Sequence, residues 1–343
     1  MHRARFILSI SLLFLFLAFS SSKLFSQDFR LIKTYEDSLL HYSKAILKER
    51  NEDRKFALNK KLEYFVEKAA RQKSSIDYDF DTLKFISVLT SEDKKFRIFT
   101  WTIKKRDGTY HYFGLGQSFI KHTKSYKYSK LNDQTSRISR MDSKTLNQKK
   151  WLGAYYYKLI QNKANGKTYY TLLGWKGFNK ITNMKVIEVA TIRTNGDIIF
   201  GYPIFNIKGF DYIKNKRARR LVFKYSAQIK MYLDYDVQSI LIEKKKKIGK
   251  SRKKQRGFTA QNKEVAPKLK VKTISKPMIV MDRLEPINTA MEGIYEFYYP
   301  ETNVIDALLF ENNKWNYYPD VDARNKPNDE QNTKAKKKLN YDL

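Results

Sequence analysis

Cysteine is missing altogether from this 343-residue chain, which excludes a disulfide framework, a thiolate metal site and a cysteine nucleophile. Histidine is scarce as well, four in all, with His41, His111 and His122 the three beyond position 26. One lies on an expected helix and two flank an expected strand, which does not make a histidine-rich metal centre. The pattern H-E-x-x-H, the elbow G-x-S-x-G, a Walker A loop and a strand-to-helix G-x-G-x-x-G are all absent. Gly114 and Gly116 fall inside a β-like run, where glycine marks a bulge or a close approach rather than a phosphate cradle. Acidic residues are the minority sign, 35 against 68 basic, for a formal charge of +33.

The longest apolar run is also short. Phe6 to Phe19 is apolar except for Ser9 and Ser11, about 14 residues against the ~20 that a spanning helix needs. It follows the basic residues Arg3 and Arg5 and ends in Ser20, Ser21, Ser22 and Lys23, the layout of a secretory signal peptide. Cleavage after one of Ser20 to Ser22 or after Ser26 is expected, which places the mature protein in the periplasm or outside the cell with no transmembrane span. An uncleaved signal anchor is the alternative. The remaining chain, 42% hydrophobic and 15% aromatic over its full length, has the composition of a folded protein.

Removal of residues 1–26 takes away Arg3, Arg5 and Lys23, leaving +30. Residues 244–276 hold twelve Lys and two Arg against Glu264, and residues 121–150 hold seven Lys and two Arg against two Asp. Twenty of the thirty charges therefore lie in two stretches that are poor in hydrophobic periodicity, and both read as basic loops, at 121–150 and 243–276. Lysine outnumbers arginine 50 to 18, a bias that AT-rich coding also produces.

Between Ile32 and Ala70 the apolar positions step by three and four. Ile32, Tyr35, Leu39, Tyr42 and Ile46 form one stripe, and Leu58, Leu62, Phe65 and Ala69 a second after the charged break Glu49 to Arg54. This predicts a helical segment over 27–75 that packs on the body of the protein. From Leu83 onward the pattern turns to short β-branched and aromatic runs. Phe96 to Ile103 alternates, and Asp107-Gly108, Asn165-Gly166, Asn195-Gly196 and Asn312-Asn313 punctuate strand-like runs as hairpin turns. Further strands are expected at Tyr155 to Ile160, Val186 to Ile192, Val222 to Tyr235, Ile240 to Ile242, Met278 to Met281, Ile294 to Tyr298 and Ala307 to Tyr318. The expected class is mainly β, an antiparallel sandwich or partly closed barrel with an N-terminal α-helical segment, over 76–325 and followed by a polar, disordered tail at 326–343.

Four sets of residues are candidates for function. Asp77, Asp79 and Asp81 alternate along the chain and would face one way in a strand, where they could bind calcium, although the glycine and glutamate of a calcium loop are missing. Asp282, Glu285, Asp320 and Asp322 form a second acidic set that could run glycoside hydrolysis by paired carboxylates, or simply lie at loop ends. Tyr156, Tyr170, Trp175 and Trp315 could form an outward aromatic platform for sugar rings or bases, or pack in a sheet. The run Lys244, Lys245, Lys246, Lys247, Lys250, Arg252, Lys253, Lys254 and Arg256 could grip the phosphates of an anionic envelope polymer, lipid or nucleic acid, or be a solvated loop. No cofactor is expected.

The stretches Thr171-Leu172-Leu173-Gly174-Trp175-Lys176-Gly177, Met278 through Pro286, and Trp315 through Asp322-Ala323-Arg324-Asn325 are similar to an uncharacterised family of exported, β-rich Bacteroidetes proteins. The likeness spans roughly residues 80–325 and implies a periplasmic or secreted β-rich protein. It carries over no catalytic residue, and the basic insert at 243–276 departs from the shorter connection of that family. The sequence thus points to an exported envelope protein, more in the manner of a binding or scaffolding β domain than of an enzyme. A polyanion binder and a carbohydrate-active enzyme are the alternatives.

Overall fold

A computed structural model describes residues 27–244 and 270–321. The expected signal peptide, most of the basic run from Lys245 onward, Asp322 and the tail lie outside the described residues. Within them the chain is mainly β, in antiparallel sheets that carry a helical pair, and no closed barrel is found.

Helix α1 covers residues 27–48 and α2 covers Glu52–Ala70. The break between them falls where the charged run predicts it. Asn51 caps α2, its side chain accepting from Arg54 N at 3.0 Å, and Glu52 and Asp53 sit in the first turn, where the helix dipole favours acid. The stripe Ile32, Leu39 and Ile46 of α1 and Leu62, Val66 and Ala69 of α2 is fully buried, with Tyr35, Tyr42, Leu58 and Phe65 packed beside it. That stripe lies on one face of the first sheet, β1 (Ser87–Thr90), β2 (Phe96–Lys104), β3 (Tyr110–Ile120) and β4 (Ser125–Asn132), joined in that order. Strand β4 therefore occupies part of the basic stretch 121–150, and Leu131, Ile138 and Leu146 from it are core residues.

The alternation of β2 has a direct outcome. Phe99, Trp101 and Ile103 face the helices, whereas Phe96 and Ile98 face a second sheet, so both faces of β2 are buried. The second sheet runs β5 (Leu146–Asn147), β9 (Ile198–Phe200), β8 (Thr182–Ile192), β7 (Lys167–Gly177) and β6 (Tyr155–Ala164), with β11 (Leu221–Ser226) joined to β8. The third runs β10 (Phe205–Asn206), β15 (Lys314–Tyr318), β14 (Tyr298–Glu311), β13 (Lys270–Pro286) and β12 (Leu233–Lys244), antiparallel except for β10 on β15. Ile187 and Val189 of the second sheet meet Ile279, Met281, Leu308 and Trp315 of the third. The layers are thus helices, sheet, sheet, sheet, with three apolar seams between them.

Asn165-Gly166 and Asn312-Asn313 have both residues at positive φ and close the β6–β7 and β14–β15 hairpins, as their composition predicts. Gly116 marks a close approach rather than a bulge, since a Cβ there would lie 2.2 Å from Ile198 Cδ1 of the second sheet. Two expected strands are corrected. Val222 to Tyr235 is two strands, because β11 pairs within the second sheet and β12 within the third, and the chain crosses between layers in the intervening residues. Ile294 to Tyr298 begins with a 3-10 turn, Tyr295–Phe297, whose approach is set by left-handed Gly293, and only Tyr298 enters β14.

Candidate functional site

Asp77, Asp79 and Asp81 are all exposed, but they do not share an extended strand. Asp77 closes the 3-10 turn Ser75–Asp77 and pairs with Lys94, and Phe80 between the other two is left-handed. No group of three metal-ligating side chains converges among the described residues.

The aromatic platform is corrected. Tyr156, Tyr170 and Trp315 are buried to 2% exposure or less, and only Trp175 is partly exposed, edge-on to Tyr110 at 5.1 Å. Tyr156 Oη accepts from Trp151 Nε1 at 3.2 Å, Tyr170 lies tilted against Phe96 with ring centres 4.9 Å apart, and Trp315 Nε1 donates to Thr171 Oγ1 at 3.1 Å. Tyr156 and Tyr170, on the middle sheet, enter its seam with the first sheet, and Trp315, on the third sheet, enters the seam with the second. Sheet faces covered by another layer take their aromatics out of water.

The described members of the second acidic set, Asp282, Glu285 and Asp320, make separate contacts. Asp282 on β13 accepts from Tyr232 N at 2.7 Å, Glu285 is exposed, and Asp320 is a left-handed residue whose N donates to Asp306 Oδ1 at 3.0 Å. Glu285 instead neighbours Glu301, whose carboxyl is raised by burial and by the Glu285 charge. Asp306, which the sequence reading passed over, is fully buried and holds Arg283 through both carboxylate oxygens, 2.6 and 3.1 Å, with Tyr317 Oη donating at 2.9 Å. A bidentate pair with every oxygen bonded is an anchor for the β13–β14 junction.

Of the basic run, Lys244 ends β12, and the other eight residues lie outside the described ones. Their attachment is defined. Strands β12 and β13 pair through twelve residues, ending with Lys244 opposite Lys270. Strand β14 joins β13 only from Ile279 onward, so the nine pairs from Asp236–Met278 to Lys244–Lys270 form a two-stranded ribbon. At ~3.3 Å per residue that ribbon is roughly 30 Å long. Residues 245–269 begin and end at its tip, with ten Lys and Arg against Glu264, a sum of +9.

The most unusual local chemistry lies at Lys185, on the face of β8 that continues through Ile187 and Val189 into the seam with the third sheet. Its Nζ donates to Tyr157 Oη at 3.2 Å and lies 4.4 Å from the centre of the Tyr157 ring, while Tyr157 Oη donates to Leu233 O at 2.7 Å. Tyr157 is the extra residue where the β6–β7 register shifts between Tyr156 and Lys158, so a bulge aims it into this seam. Burial pushes Lys185 down to about 8, against the opposing pull of Asp234 and Asp282. Burial likewise raises the Tyr157 hydroxyl and, despite the Tyr232 N–H and Lys185, raises Asp282 from its ordinary value. Tyr232, 45% exposed, borders the cluster.

Lys176 gives a closed counterpart on β7. Only 2% exposed, it donates to Gly153 O at 2.6 Å, lies 4.0 Å above the Tyr112 ring and is also pushed down to about 8 by burial. A lysine at a core-facing position of a strand is the signal that would have found both, since lysine stays out of cores unless its ammonium is provided for.

Comparison of the chain with protein-family models, with curated proteins and with solved structures finds no match.

Proposed function

We propose that the chain is an exported cell-envelope protein that binds an anionic polymer or lipid headgroup, with the stacked sheets as scaffold and the β12–β13 ribbon as the binding arm. The observation that supports this reading most directly is the pairing of Lys244 with Lys270, which hangs a +9 segment on a ribbon rooted in a three-sheet body. A cationic segment keeps its charge hydrated until it meets phosphates, and each contact then releases condensed counterions. The export reading rests on residues 1–26 and on the resemblance to exported β-rich proteins, and it directs the expected ligand to the envelope, lipopolysaccharide foremost.

The test is binding of the mature chain to lipopolysaccharide and to heparin across a salt series. For six to ten phosphate contacts, affinity should fall by roughly 10³-fold or more between 50 and 200 mM salt. Excision of 245–256 should remove most of that slope while leaving the circular dichroism of the β body intact. Binding that ignores salt, or that survives the excision unchanged, rules the reading out.

A further inference from the structure

Lys185 has features that a merely structural lysine does not need. Its amine is held at one point by the Tyr157 hydroxyl and ring face, and it belongs to no ion pair among the described residues. It is half-buried rather than sealed, with the exposed Tyr232 ring at the border. The bulge at Tyr157 and the break in the β13–β14 register just past Asp282 both interrupt regular pairing around it. Bulges of this kind re-aim side chains next to sites of chemistry.

From this geometry we infer that the seam at Lys185 is a binding site for small aldehydes or ketones, with the Lys185 amine forming an imine at the carbonyl carbon. The neutral amine nitrogen adds to that carbon and gives a carbinolamine. Loss of water then leaves a carbon–nitrogen double bond in place of the carbon–oxygen one, with both amine hydrogens departing in the water. Asp282 is suited to pass protons between nitrogen and oxygen, because burial leaves its carboxyl protonated at higher pH than an ordinary aspartate. Tyr157 orients the amine through its hydroxyl, which itself is fixed on Leu233 O. The groups acting on Lys185 are Tyr157 from β6, Asp234 from β12 and Asp282 from β13. Its lowered titration supports the same reading, since near pH 7.5 its neutral fraction exceeds that of an ordinary lysine of pKa ~10.4 by roughly 10²-fold.

The two buried lysines make the test internal to one protein. The folded full chain is treated with limiting glycolaldehyde and cyanoborohydride, and labelled lysines are mapped by peptide mass spectrometry from pH 6.5 to 9.5. Lys185 should be labelled at least about tenfold faster than exposed Lys149 and Lys150, with a rate midpoint near pH 8. Lys176, equally lowered but sealed, should stay unlabelled until the chain is unfolded. Tyr157→Phe should slow labelling of Lys185 severalfold with the fold intact by circular dichroism, and K185R should abolish the fast phase. Labelling of Lys185 no faster than Lys149, or of native Lys176 as fast as Lys185, overturns the proposal. So does a Tyr157→Phe protein that labels like the parent.

Discussion

Single residues carry this fold where charge has been brought into apolar seams. Glu188 and Arg220 are both fully buried and paired at 2.7 Å, and Arg220 also donates to the carbonyls of Met141 and Lys144, tying a long connection to the second sheet. Burial raises Glu188 against the opposing pull of Arg220, and a buried pair of this kind gives back in desolvation much of what its attraction supplies. Glu188→Ala should therefore destabilise the protein by about 3–5 kcal/mol in urea unfolding, since it leaves a guanidinium buried and uncompensated. Glu188→Leu combined with Arg220→Met should recover only part of that loss, because the Met141 and Lys144 carbonyls then lack their donor. Full recovery would mean that those carbonyls find water.

Among elements, the closeness of the layers is set by the smallest side chains. A Cβ on Gly116 of β3 would lie 2.2 Å from Ile198 Cδ1 of β9, so a methyl group here requires the end of the Ile198 side chain to shift. Gly116→Ala should cost roughly 1–3 kcal/mol, and Ile198→Ala in the same chain should restore part of it, a coupling that a double-mutant cycle reads directly. Strict additivity of the two losses would show that the strands separate instead. At the other end of the stack, Asn51→Ala removes the acceptor for Arg54 N and should lower stability by ~1 kcal/mol, read as a shift in the urea midpoint at constant slope.

The whole molecule has a pH signature that follows from its three seams. Lys176 and Lys185 are pushed down to about 8 in the folded state, so from pH 8 to about 10 the unfolded chain binds more protons than the folded one. Stability then rises with pH, by on the order of 2 kcal/mol for each lysine. Above pH 10 the sign reverses. Burial holds Tyr112, Tyr156, Tyr157, Tyr170 and Tyr225 protonated in the fold, whereas unfolded tyrosine ionises near 10, so the folded state binds more protons and stability falls. Unfolding midpoints measured from pH 7 to 11.5 should pass through a maximum near pH 10. A monotonic fall from pH 7 would contradict the burial of the lysines, and Lys176→Met should flatten the rising limb.

Local signals in the sequence determined the class and much of the element order. The stripes at Ile32 to Ile46 and Leu58 to Ala69 fix two helices, because a helix repeats every 3.6 residues wherever it packs. Asn165-Gly166 and Asn312-Asn313 fix hairpins, because few residues tolerate positive φ in succession. Tertiary structure alone decided which face of each strand is wet. Tyr156, Tyr170 and Trp315 read as platform or core, and they are core because the first sheet covers Tyr156 and Tyr170 while the second covers Trp315, whose indole bonds Thr171, 144 positions away in the chain. The same cause hid the site. Lys185, Tyr157, Asp234 and Asp282 are spread over 126 positions, from 157 to 282, and become neighbours only when β6, β8, β12 and β13 stack. The lowered lysine exists because two sheets close over it, and desolvation is a property of packing that no single segment contains.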